Sequence, residues 1–101
     1  MNVTITARKF KAHDTLKEFI NAEVDSLNKF HDDILDVDVI LSYLNSNISI
    51  KSAEIILKVP GQILTATENS DDFKKSISSA VEKLVTQLKK IKSKKVTARI
   101  K

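Results

Sequence analysis

Apolar and polar residues alternate over Asn2 to Arg8 (NVTITAR), with Val3, Ile5 and Ala7 on one side. Successive side chains of an extended chain point to opposite faces, so a period of two rich in β-branched residues predicts a first strand. The period then changes. Leu16, Phe19, Ile20, Val24, Leu27 and Phe30 recur at steps of three and four, the stripe of an amphipathic helix from about Thr15 to Phe30. Asp14 or Thr15 is available to cap this helix, and Glu18 stands where it would complete a capping box with Thr15.

Beyond the acidic connector HDDILD, the segment Asp36 to Leu44 puts Val37, Val39, Leu41 and Tyr43 on one face and predicts a second strand, with Asn45-Ser46-Asn47 as its turn. A longer strand is predicted over Asn47 to Val59. Its alternation changes phase near Ser52, from Ile48 and Ile50 to Ala53, Ile55, Leu57 and Val59, which predicts a bulge. Pro60-Gly61 is a tight-turn pair, and Gln62 to Glu68 reads as a fourth strand closing an antiparallel meander. The run Asn69-Ser70-Asp71-Asp72 then supplies caps and negative charge to a last, long helix. Phe73, Ile77, Ala80, Val81, Leu84, Leu88 and Ile91 mark its buried stripe.

The order is thus β-α-β-β-β-α, an α+β fold with a four-stranded, mostly antiparallel sheet and both helices on one face. At 101 residues one domain with a single core is expected, here over residues 1–92. The remainder, residues 93–101, is basic. Val96, Ala98 and Ile100 alternate there with Thr97, Arg99 and Lys101, the pattern of either a short edge strand or a flexible tail, and the tail is the working expectation.

Charge changes the picture. Met1 to Ile50 carries five Lys/Arg against eight Asp/Glu, a net −3, whereas Lys51 to Lys101 carries twelve against five, a net +7. After Glu82 there are eight basic residues and no acid. Around the last helix, Lys83, Lys90 and Lys94 fall on one flank of the polar face and Lys75 and Lys89 on another. Like charges at this spacing destabilise an isolated helix by a few tenths of a kcal/mol per pair, roughly, and phosphate neutralisation is one reason to keep them. A lysine-rich solvated face is the other reading.

Chemistry finds little to work with. The chain has no cysteine, which excludes disulfides, thiolate metal sites and a cysteine nucleophile. No Gly-rich phosphate loop exists. His13 and His31 flank the first helix without a Ser or Asp at catalytic spacing, and read as cap or rim residues. His31, Asp32, Asp33, Asp36 and Asp38 match no calcium loop and read as a solvated acidic turn. No enzyme, metal or cofactor is expected. The opening MNVTITARKF lacks a basic leader followed by an apolar run, and nothing reaches membrane-span length, so a soluble, cytoplasmic protein is expected. Glu23 falls inside the apolar stripe of the first helix, either as a rim residue or facing the groove between the helices, where it would pair with a lysine of the second.

Three stretches carry a resemblance: Ile5 to Ile20 (ITARKFKAHDTLKEFI), Val37 to Leu41 (VDVIL) and Ile63 to Lys95 (ILTATENSDDFKKSISSAVEKLVTQLKKIKSKK). In order and spacing the chain resembles the short form of the ribosome hibernation promoting factor family, also called ribosome-associated inhibitor or ribosomal subunit interface protein. The resemblance implies layering similar to double-stranded RNA-binding domains and a factor that occupies the mRNA and tRNA channel of the small subunit against rRNA, blocking translation in idle ribosomes under stress or in stationary phase. Lys83, Lys89, Lys90, Lys92 and Lys94 match basic family positions on the last helix, and Lys17 matches one on the first; Lys95, Arg8 and Lys9 join them as candidate RNA contacts. Glu23 and Ser26 stand where Lys is usual, Lys74 where Tyr is, Ser78 where Asp is and Thr86 where Arg is. Longer family members carry a separate dimerising domain, so ribosome pairing would need another hibernation factor. The competing readings are a protein-interaction module using a sheet edge or the terminal segment as a strand, and a generic RNA-binding domain.

Overall fold

Strand β1 (Asn2–Ala7) shows the alternating exposure its sequence predicts. In the computed structural model the described residues are 2–31, 33–44 and 49–100, with side chains described as far as Ile91. Helix α1 (Asp14–Asp25) and a 3-10 turn (Ser26–Lys29) lead to β2 (Asp36–Tyr43), β3 (Lys51–Val59), β4 (Gln62–Ser70) and helix α2 (Phe73–Ile100). The sheet order is β1-β2-β3-β4. β1 runs parallel to β2 across the α1 crossover, while β2, β3 and β4 form the antiparallel meander.

One continuous core lies between sheet and helices. Val37, Val39 and Leu41 of β2 and Ala53, Ile55 and Leu57 of β3 meet Ile20 and Val24 of α1 and Ile77, Leu84 and Leu88 of α2. α2 lies over β3 and β4 and against α1. The α+β order, the sheet and the helix pair agree with the sequence expectation.

Four local expectations change. The first helix stops at Asp25 because the Ser26 hydroxyl donates to the Glu23 carbonyl at 2.6 Å, tightening the chain into a 3-10 turn. Its N-cap is His13, whose carbonyl accepts from Leu16 N and Lys17 N at 3.1 Å each. No side chain caps this end, so the Thr15–Glu18 capping box does not form. β3 begins at Lys51, and its register with β2 continues without a bulge from Tyr43↔Lys51 through Ser42↔Ser52 to Leu41↔Ala53. The phase change near Ser52 marks the strand's start, because Ile50 belongs to the connection, where its carbonyl accepts from Leu44 N. β4 continues to Ser70 rather than Glu68. The Asn45-Ser46-Asn47 turn lies outside the described residues.

Two punctuation marks behave as predicted. Pro60 pre-sets a negative φ and Gly61 takes φ 79°, which a type II turn requires and side-chain-bearing residues resist. Asp72 caps α2, its Oδ1 accepting from Lys74 N at 2.9 Å.

Candidate nucleic-acid interface

The outer face of α2 is the cationic surface, and the sheet fixes its orientation by burying Ile77, Leu84 and Leu88 beneath it. Lys74, Lys75, Lys83, Lys89 and Lys90 are exposed on it. Their surroundings differ. Lys83 leans toward β4, where its Nζ sits 2.7 Å from Glu68 Oε2. Lys89 leans the other way, its Nζ 5.6 Å from the centre of the Phe30 ring beyond α1, and Lys74 makes the same contact with Phe19. Lys75 pairs with Asp71 at 3.2 Å, and that hydrogen bond, with the Lys75 charge, holds the Asp71 carboxyl below its ordinary value.

Of the other sequence candidates, Lys17 is exposed on α1, and Arg8 and Lys9 are exposed in the turn after β1. Lys9 takes φ 63° there, a left-handed conformation unusual for a side-chain-bearing residue. The structure therefore brings Lys83, Lys89 and Lys90 onto one helix and leaves Arg8 and Lys9 in a separate loop. The side chains of Lys92, Lys94 and Lys95 lie outside what is described, while the backbone of α2 continues to Ile100, a helix where the sequence pattern offered a short edge strand or a flexible tail.

Between the helices runs an open groove lined by Glu23, Ser26, Ser78, Glu82, Val85 and Thr86 among others. Glu23 does face it, but its partner is not a lysine: Ser78 Oγ donates to Glu23 Oε1 at 2.5 Å. Both charged groups lining the groove are carboxylates, so cationic character belongs to the flanks of α2 and not to the cleft. Glu68 is the residue that sequence reasoning passed over. It shares strand parity with the buried Leu64 and Ala66, a signal that it points toward α2.

The aromatic rings are engaged with one another. Phe10 stacks on Phe73 at 5.0 Å and meets Tyr43 at 5.1 Å, so these rings form a packed cluster and not a row of platforms for unpaired bases. His31 Nδ1 accepts from Asp33 N at 3.1 Å. Among the described residues no group of three or more His, Cys, Asp or Glu could hold a metal ion, and no helix is long and apolar enough to cross a membrane.

A four-stranded mixed sheet carrying two helices on one face, with lysines exposed along α2, defines a small α+β domain with a cationic helix face. The chain belongs to the Sigma 54 modulation protein / S30EA ribosomal protein family, whose model matches residues 3–96. It is 28% identical over 91 residues to a ribosome hibernation promotion factor of Deinococcus radiodurans, covering 88% of this chain and 48% of that protein; the chain thus spans about half the length of that curated relative. Its fold is similar to a ribosomal subunit interface protein of Coxiella burnetii, with a TM-score of 0.83 and 26% identity over 92% of this chain and 99% of that one. It is also similar to the N-terminal domain of Protein Y from Thermus thermophilus, with a TM-score of 0.79 and 26% identity over 90% and 99% of the two chains. The family is described as ribosomal, and two of these relatives are named for a ribosome hibernation and a subunit-interface role, in line with the non-enzymatic expectation.

Proposed function

We infer that the chain binds the small ribosomal subunit and inhibits translation by occupancy, lying in the mRNA and tRNA channel with the outer face of α2 against rRNA. One observation carries this reading: lysines on both flanks of α2, Lys83 and Lys90 on one and Lys89 on the other, stand exposed on a helix whose opposite side is locked into the core. A rigid row of ammonium groups neutralises phosphates without reading bases, so recognition rests on the shape of the site. Lys92, Lys94 and Lys95 extend the same basic run in sequence, and Lys17, Arg8 and Lys9 supply outlying contacts. The ribosome as partner, and with it a cytoplasmic location, is supported by the family and by the names of its hibernation and subunit-interface members; the channel is our own reading of the cationic helix face.

The test is cosedimentation of the purified protein with small subunits across a salt series. Replacing Lys89, Lys90, Lys92 and Lys94 by Ala removes up to four phosphate contacts, and the log–log salt slope should shrink by about 3. An unchanged slope and unchanged binding would show that these lysines do not meet RNA.

A further inference from the structure

The face of the sheet turned away from the helices has the opposite character. Strand alternation and register put Asn2, Asp36, Lys58 and Ile63 in one row across it, Thr4, Asp38, Ile56 and Thr65 in the next, and Thr6, Ile40, Glu54 and Thr67 in a third. Ile40, Ile56 and Ile63 therefore form a diagonal, each diagonal step roughly 7 Å. Ile63 is 61% exposed, while Ile40 and Ile56 are half-buried. Asp36 and Asp38 flank this diagonal on one side and Glu54 on the other.

None of the three carboxylates makes a salt bridge or side-chain hydrogen bond to a described residue. Lys58 stands directly across from Asp36 yet makes no salt bridge with it, and Arg8 lies at the rim beyond Thr6. Unpaired like charges on one sheet face destabilise it. Phosphate is repelled by such a face, and a cationic partner relieves it.

We propose that the open sheet face, through the Ile40–Ile56–Ile63 diagonal and the carboxylates of Asp36, Asp38 and Glu54, docks an extended protein segment rich in Lys or Arg with apolar residues between. The occupant is protein and not RNA, because the charge is wrong for phosphate and the isoleucines offer an apolar footing. The molecule is thus two-sided, with a cationic helix face and an anionic, partly apolar sheet face. That the segment belongs to a small-subunit protein rests on the ribosome-binding reading; the surface chemistry does not.

Two measurements test it. In the first, the isotope-labelled chain is titrated with a ten-residue peptide alternating Lys and Val, and with its Glu-Val counterpart. The Lys peptide is expected to shift amides of residues 36–42 and 54–58, to leave α2 unmoved, and to bind the D36N/D38N/E54Q variant at least about tenfold more weakly; the Glu peptide should produce no shifts. Equal binding by the variant, shifts confined to α2, or concentration-dependent shifts without peptide, which would mean a second copy covers the face, each overturn the proposal. In the second, a photo-crosslinking residue at Thr65 is exposed to purified small subunits and should capture a Lys/Arg-rich protein segment, whereas one at Thr86 should capture rRNA. Capture of rRNA from Thr65 refutes the docking claim. A chain that ignores small subunits altogether sinks the ribosome reading, and the peptide titration then still decides this one.

Discussion

Ser78 on α2 donates a hydrogen bond to Glu23 Oε1 on α1 at 2.5 Å, joining the two helices across the groove where the sequence left Glu23 either at the rim or paired with a lysine of α2. A charge-assisted bond between packed elements contributes more than a neutral one. It also holds a carboxyl group in a groove that Glu82 lines as well, beside the lysine-bearing flanks of α2.

Glu23→Lys is therefore expected to act in opposite directions on stability and on binding. Loss of the bond should lower stability by about 1–3 kcal/mol, seen as an earlier urea midpoint. The added ammonium should tighten small-subunit binding at low salt and steepen the salt slope by up to about 1. Weaker binding by a folded variant would mean that the groove does not face RNA.

The Lys83–Glu68 pair is exposed enough that its loss should hardly be felt in folding, at most about 1 kcal/mol. Glu68→Gln frees the Lys83 ammonium for an external anion, and subunit affinity should rise by up to about fivefold. Filter binding across salt concentrations reads this directly. No gain in affinity would place Lys83 outside the interface.

The Asp71 carboxyl, held below its ordinary value by the Lys75 hydrogen bond and charge, gives a pH dependence of known sign. A depressed folded-state value stabilises the native protein above the unfolded value, and that contribution is lost as pH falls through the folded one. Lys75→Ala should raise the Asp71 titration midpoint toward 3.8, followed by carboxyl NMR. An unmoved midpoint would assign the shift to the backbone and Lys51 instead.

Leu84 is fully buried under α2, and Leu84→Ala should cost about 2–5 kcal/mol, a large share of the roughly 5–15 kcal/mol typical of a domain. Denaturant unfolding measures it. A loss below about 1 kcal/mol would mean that α2 is not anchored as described, and a helix so loosely held could not present an ordered row of lysines.

Much of this architecture is legible in the chain itself, because periods of two and of about 3.6 dictate which side of an element becomes apolar whatever it packs against. Val37, Val39 and Leu41, the stripe from Ile77 to Leu88, the Pro60-Gly61 turn and the Asp72 cap are local statements, and the structure agrees with them. The capping box at Thr15 and the bulge at Ser52 were equally local readings, and they gave way to His13 as N-cap and to a later strand start.

The character of the candidate surfaces is another matter. Lysines can be counted along α2 from sequence, but whether each is free, paired or leaning on a ring depends on residues far away in the chain: Glu68 for Lys83, Phe30 for Lys89, Phe19 for Lys74. Likewise Glu23 meets Ser78 across 55 positions, and Asp36, Asp38 and Glu54 become one anionic face only when β2 and β3 pair in register. Periodicity is carried by neighbours in sequence, so the sequence alone determined the elements and their buried sides. Electrostatic complementarity is carried by neighbours in space, so only the tertiary structure decided which charges stand together and which cancel.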